Sequence, residues 1–197
     1  MKNVIWVFGE SATGKSTLIN EILTDKNNIR TYLGLNSEKI DVIENTILSN
    51  IASFDDEANE RFRKEKIKEK ITDFLRSDNT VLLIKGQTND MNDKYGNTLK
   101  EFAIHFPNLN KVIYLLEIDN LDLHYYRFVN KDWFQADKER YERIFTREWL
   151  PRAVEKHRKM VYSFEQYGFT ILNIDSTNGF KMRGDRNLNG EGSNFRR

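Results

Sequence analysis

Val4-Ile5-Trp6-Val7-Phe8, running straight into Gly9-Glu10-Ser11-Ala12-Thr13-Gly14-Lys15-Ser16-Thr17, is the stretch whose reading decides the fold. Its first part is a continuous apolar run between polar neighbours, which predicts a strand buried on both faces of a parallel sheet. Gly9 to Ser16 fit G-x-x-x-x-G-K-[ST] at every fixed position. Leu18, Ile19, Ile22 and Leu23 then recur at helical spacing and predict a helix over 17–23. This order of strand, glycine loop and helix suits phosphate. Glycines let the chain curl so that successive backbone N–H groups point inward at phosphate oxygens. The helix behind adds the positive end of its dipole. Lys15 brings a point charge to the β- and γ-phosphates, and Ser16 offers a hydroxyl to Mg²⁺. Gly9, Ser11, Ala12, Thr13, Gly14, Lys15, Ser16 and Thr17 are therefore the expected nucleotide-holding residues, with Ser16 the metal ligand.

Outward from this motif, strand and helix patterns alternate. Arg30 to Leu35 reads as a second strand. Ile40, Ile43, Ile47 and Ile51 mark one face of a helix over 40–51, and a long charged helix follows over 57–75. Thr80 to Ile84, Val112 to Leu116 and Phe169 to Ile174 read as buried strands. Helices are predicted over 98–106, stopped by Pro107, and over 121–128, 137–145 and 149–167. Strands apolar on both faces and separated by helices predict a three-layer α/β/α sandwich with a parallel, five-stranded sheet. Residues 1–177 form one domain in this reading. Residues 178–197 hold four glycines and little apolar content, with five basic against two acidic residues, and read as a flexible polar tail.

Composition narrows the classes. The chain has 197 residues, 39% of them hydrophobic and 12% aromatic, enough for one domain with a sizeable core. Lys plus Arg is 31 and Asp plus Glu is 30, a net charge of +1, which excludes a polybasic nucleic-acid coat or membrane-surface binder. The absence of Cys excludes disulfides, zinc thiolate sites and a Cys nucleophile. No apolar run approaches the ~18 residues of a membrane span, and Met1-Lys2-Asn3 opens no signal-peptide pattern. A cytoplasmic protein is expected.

The phosphate-loop match resembles the P-loop NTPases, and within them the small nucleoside and nucleotide kinases. The fourth strand leads through Leu121-Asp122-Leu123-His124-Tyr125-Tyr126 into Arg127 and an arginine-rich segment. That succession is similar to the strand, short helix and arginine-bearing lid of adenylate kinase-like enzymes. The resemblance implies a P-loop kinase fold with a helical lid over about 127–147, ATP and Mg²⁺ as cofactors, and an arginine at the start of the lid stacking on adenine, here Arg127. The sequence departs from the family where Lys85 ends the third strand in place of an acid that holds Mg²⁺ through water. Asp90 and Asp93 follow.

Arg127, Lys131, Arg140, Arg143, Arg147 and Arg152 lie close together, and 125–159 carries ten basic against six acidic residues. Arg140, Arg143 and Arg147 share a helix face, the arrangement a lid needs to aim guanidiniums at a moving phosphoryl group. Glu139, Glu142 and Glu148 give the bland alternative, a solvated helix laced with ion pairs. Lys15, Arg127, Arg140 and Arg143 are the expected electrostatic catalysts. On the acceptor side, Glu38 and Asp41 follow the second predicted strand, and Gln87, Asn89 and Asp90 follow the third. A carboxylate there would take the proton from an acceptor hydroxyl, and Asp41, at the start of its helix, is the expected base. Gln87 and Asn89 carry paired donors and acceptors suited to a base edge, and Phe54, Tyr95 and Trp133 are rings that could stack on one. His105, His124 and His157 are scattered and form no metal set; the latter two are expected on exposed helix surface. The reading is an ATP-dependent kinase of a nucleoside, nucleotide or modified nucleotide. The alternatives are a kinase acting on a polynucleotide terminus or on hydroxymethylated bases in DNA, and a nucleotide switch. The switch ranks last because Leu116-Glu117-Ile118-Asp119 lacks the lysine of a guanine reader.

Overall fold

The computed structural model describes residues 2–36, 38–43, 57–91 and 97–184. These residues build a six-stranded sheet in the order β2-β3-β1-β4-β5-β6. The strands are β1 Asn3–Phe8, β2 Ile40–Ile43, β3 Val81–Lys85, β4 Asn110–Glu117, β5 Phe169–Asp175 and β6 Lys181–Met182. The first five are parallel, and β6 runs antiparallel to β5. The helices are α1 Lys15–Thr24, α2 Ile29–Tyr32, α3 Glu57–Arg76, α4 Thr98–His105, α5 Leu121–Val129, α6 Asp132–Gln135, α7 Lys138–Ile144 and α8 Trp149–Tyr162.

Alternation along β1 sorts the two cores. Val4, Trp6 and Phe8 pack with Ile67, Ile71 and Phe74 of α3, Leu99 and Phe102 of α4, and Val161 of α8. Ile5 and Val7 pack on the other face with Leu18, Ile19 and Ile22 of α1. The central strand is therefore covered on both sides, as its unbroken apolar run requires. The phosphate loop leaves its C-terminal end between β3 and β4. This is the α/β architecture that the alternating strands and helices predict, a mostly parallel sheet with helices on both faces, with six strands in place of five.

Two elements differ from the sequence reading. Ile29–Tyr32 is a helical turn where a strand is expected, and β2 begins only at Ile40. Local capping decides the first. Asn27 and Asn28 adopt positive φ, Asp25 Oδ1 accepts from the Arg30 N–H at 3.0 Å, and the Arg30 guanidinium donates to the Ile22 and Leu23 carbonyls at 2.6 and 2.8 Å. The chain is thus turned at the end of α1 before a strand can start. Tertiary pairing decides the second: Ile40-Asp41-Val42-Ile43 is taken as an edge strand by β3, against the helical spacing of its isoleucines. Residues 44–56 of that expected helix lie outside the described residues.

The stretch read as a tail also begins in order. Lys181 and Met182 pair with Asp175 and Ile174, and the Met182 N–H donates to the Tyr32 hydroxyl at 2.6 Å. Phe180 and Met182, both partly buried, pack on the α1-side core. Residues 185–197 lie outside the described residues.

Candidate active site at the phosphate loop

The loop between β1 and α1 is closed so tightly that only glycine fits its first position. Gly9 has φ of +149°, and a Cβ there would lie 2.5 Å from Thr13 Oγ1 and 2.6 Å from the Leu116 carbonyl oxygen. Gly14 has φ of +92° and caps the start of α1. Thr13 is buried, and both its hydroxyl (2.9 Å) and its N–H (3.3 Å) donate to the Glu10 carbonyl. The Lys15 ammonium folds back over the curl and donates to the carbonyls of Gly9 at 2.6 Å and Glu10 at 3.1 Å. Burial pushes this ammonium down to about 8; Glu10 opposes the shift, while Lys85 and Lys131 add to it. Ser16 and Thr17 are exposed on the first turn of α1.

Two histidines support the loop from behind, which corrects their expected place on exposed helix surface. His124 of α5 and His157 of α8 are 1% and 3% exposed. His124 Nε2 lies 2.8 Å from the Ser11 carbonyl. A carbonyl only accepts, so that nitrogen carries the hydrogen. Burial holds His124 below the usual histidine range, so it is neutral and pins the loop as a plain donor. His157 Nδ1 stands 3.3 Å from Glu10 Oε1. Burial alone would raise the Glu10 carboxyl, but His157 and the Lys15 charge more than offset it, and Glu10 is held below its ordinary value. No local pattern in the sequence marks these histidines; each sits on a helix with ordinary amphipathic spacing, and only the packing of α5 and α8 on the loop gives it a role.

Beside the loop opens a cleft of about 510 Å³, lined by Ala12, Thr13 and Gly14, by Thr17 and Glu21 of α1, by Tyr126, Arg127, Asn130 and Lys131, and by Ser176, Gly179 and Phe180. The structure thus brings Arg127, Lys131 and the turn after β5 to the phosphate loop. Arg127 is fixed there: Nη1 donates to the Ser176 carbonyl at 3.0 Å and Nη2 to the Thr177 carbonyl at 2.9 Å. Thr177 is itself oriented by its N–H on Asp175 Oδ1 at 2.9 Å.

The other lid arginines lie elsewhere. Arg140 and Arg143 line a separate open surface cleft of about 320 Å³ with Asp137, Glu139 and Ile144, which shares no residue with the cleft at the loop. Arg147 pairs with Asp122. The physical reason is the aromatic cluster that builds this region. Phe128, Trp133, Phe134, Tyr141, Phe145 and Trp149 meet at centroid distances of 4.8–6.0 Å. The cluster takes the apolar face of α7 inward and leaves its charged face outward. Trp133 belongs to this cluster, and none of the residues lining the cleft at the loop is Trp133.

The acceptor-side residues divide in the same way. Asp41 lies in β2 opposite Leu82, which pairs in turn with Val4. Four residues of strand separate that level from Phe8, about 13 Å at ~3.3 Å per residue. Its carboxylate sits 3.1 Å from Lys70 of α3. The expectation of a helix start facing the cleft fails because β2 is parallel to β3 and enters at the opposite end of the sheet. Glu38, just before β2, belongs to that same far end. Gln87 and Asn89 do follow the C-terminal end of β3. Asp90 is 0% exposed there, and its oxygens accept from Arg63 Nε and Nη2 at 2.8 and 2.7 Å and from the Gln87 N–H at 2.8 Å. A carboxylate so engaged is a brace for the turn, its oxygens already taken by Arg63 and the Gln87 N–H. Arg63, which the sequence reading did not single out, completes the brace by donating to the Lys85 carbonyl at 3.1 Å. Phe54, Tyr95 and Asp93 lie outside the described residues.

A hydrated Mg²⁺ would be compatible with this donor set only if nucleotide phosphates supplied its other ligands. Ser16 offers one hydroxyl, and Mg²⁺ keeps several waters. Among the described residues no cluster of three His, Asp or Glu side chains could hold an ion by itself. Glu117 at the end of β4 is committed to Arg158 Nε and Arg183 Nη1, each at 2.6 Å. No described helix is long and apolar enough to cross a membrane.

No protein-family model matches the chain, and no curated protein does. Among solved structures it is similar to deoxyadenosine kinase from M. mycoides with the products dCMP and a flexible dCDP bound, at 13% identity and a TM-score of 0.49 over 88% of this chain and 90% of that one. It is also similar to the YGR205w protein, at 14% identity and a TM-score of 0.31 over 92% and 90% of the two chains.

Proposed function

We propose that this protein is an ATP- and Mg²⁺-dependent phosphotransferase that moves the γ-phosphoryl group to a nucleoside, nucleotide or modified nucleotide. The observation that carries the reading is the Lys15 ammonium seated over the Gly9 and Glu10 carbonyls, in a loop that opens onto the cleft holding Arg127. ATP with Mg²⁺ would supply the transferred group and neutralise charge on it. Gly9 to Thr17 cradle the phosphates with backbone N–H groups, and Lys15 stabilises the negative charge that grows during transfer. Ser16 would offer its hydroxyl to the metal. Arg127 faces the base, held by the turn after β5. Gln87 and Asn89 meet the acceptor beyond β3.

Proton removal bears on the acceptor. Among the described residues, Asp41 is remote and Asp90 is committed to Arg63. That favours an acceptor already ionised, a nucleoside monophosphate above a free nucleoside, since a phosphate oxygen needs no base. A second reading, a polynucleotide acceptor, is favoured by the outward-facing Arg140 and Arg143, which stand clear of the phosphate cleft. The test is an ADP-release screen over nucleosides, monophosphates, oligonucleotides and small sugars, paired with salt-titrated binding of single-stranded and duplex DNA. Turnover on monophosphates with weak, salt-insensitive DNA binding supports the first reading; turnover confined to oligonucleotides replaces it with the second.

A further inference from the structure

The segment after β5 wraps back over the phosphate loop. Gly179 turns with φ of +84°, and β6 then adds to the sheet edge. The Phe180 ring lines the cleft beside the loop, and its nearest atom lies 3.4 Å from where a Cβ on Gly14 would stand. The segment is tied down at its far end. Arg183 donates its N–H to the Asn173 carbonyl at 2.8 Å, and its guanidinium bonds Glu117 and Asp119, each at 2.6 Å. Glu117 is 7% exposed, so this anchor is a partly buried ion pair and holds its geometry.

We propose that residues 179–183 are a strap forming one wall of the base end of the nucleotide cleft, and that Phe180 presents its ring to the nucleobase. This rests on the nucleotide reading above. Two features separate Phe180 from an ordinary core residue. It is only partly buried, whereas its core neighbours Leu18, Ile22 and Ile174 are fully so. It also shares the cleft with Arg127, the residue held by the Ser176 carbonyl on the neighbouring turn. An aromatic face and a guanidinium on one cleft suit a flat π-system, and stacking tolerates any base while favouring the larger purines. The Arg183–Glu117 pair acts through Phe180, as a positioning contact.

The test separates base from phosphate. Wild type, Phe180→Ala, Phe180→Tyr and Arg183→Ala are titrated with Mg-ATP and with Mg-tripolyphosphate, which carries the phosphates alone. Phe180→Ala should weaken ATP binding by about 5- to 100-fold and leave tripolyphosphate binding unchanged. Phe180→Tyr should keep ATP affinity. Arg183→Ala should weaken ATP alone, and less than Phe180→Ala does. Unchanged tripolyphosphate binding also shows that a variant is folded. Equal weakening of both ligands would make Phe180 a prop for Gly14 and overturn the proposal, as would unchanged ATP binding. A wild type that binds neither ligand would instead bring down the nucleotide reading itself.

Discussion

Raising the pH should drive ATP off this protein in a defined window. Lys15 is half-buried, with its ammonium folded against the Gly9 and Glu10 carbonyls, and loss of solvent pushes that ammonium down to about 8 from the usual 10.5. Phosphate recognition needs the charged form. In the free protein about nine-tenths of Lys15 is charged at pH 7 and about one-tenth at pH 9. Affinity for ATP should therefore fall by about tenfold from pH 7 to 9, and by about tenfold more by pH 10. The effect on unliganded stability has the opposite sign. The folded value lies below the unfolded one, so between about 8 and 10.5 the unfolded chain holds the extra proton. The contribution of Lys15 to stability is fully present above 10.5 and is lost as pH falls through about 8. Calorimetric titration of ATP at pH 7, 8 and 9, in two buffers of different ionisation enthalpy, reads both affinity and proton uptake. Net proton uptake that grows above pH 8 is the expected result. Flat affinity from pH 7 to 9, or proton release, would refute the reasoning.

Other perturbations follow from single contacts. Arg127→Ala should raise the KM for ATP by about 2- to 30-fold, the range of a guanidinium over a ring, with a smaller change in kcat; steady-state kinetics with varied ATP would show it. Asp90→Ala removes the carboxylate that receives two Arg63 bonds and the Gln87 N–H. It should cost about 3–5 kcal/mol in urea denaturation, and a loss of activity at full stability would restore Asp90 as the base. His124→Leu leaves the buried Ser11 carbonyl without its donor and should cost about 1–3 kcal/mol, while His124→Gln, which keeps an amide donor, should lose less.

The centre of the fold was legible because its signals are local and redundant. The apolar run of β1, the glycine spacing of the loop and the helical period of Leu18, Ile19 and Ile22 all point one way. What the sequence hid was decided at long range. Ile40 to Ile43 fit a helix or a strand, and the edge of β3 chose. β6 is two residues long, too short for any period, and its order comes from Tyr32, Glu117 and Asn173 far away in the chain. The same holds within the site. The tight turn at Gly9 and the place of Lys15 at the loop could be read from spacing alone. The posts of His124 and His157 depend on how α5 and α8 pack, and the exclusion of Asp41 depends on which end of a parallel strand it occupies. Arg140 and Arg143 stand on one helix face, as read, but the aromatic cluster under α7 turns that face to solvent.

The central claim is that the phosphate loop transfers a phosphoryl group through Lys15. The most direct measurement is transfer of label from γ-³²P-ATP to a panel of nucleoside monophosphates, nucleosides and oligonucleotides, with wild type and Lys15→Ala side by side. The account predicts labelled acceptor with wild type and none with Lys15→Ala, whose fold stays intact because the side chain reaches only loop carbonyls. Labelled acceptor formed equally by Lys15→Ala, or no labelled acceptor from any member of the panel with wild type that binds ATP, would contradict it.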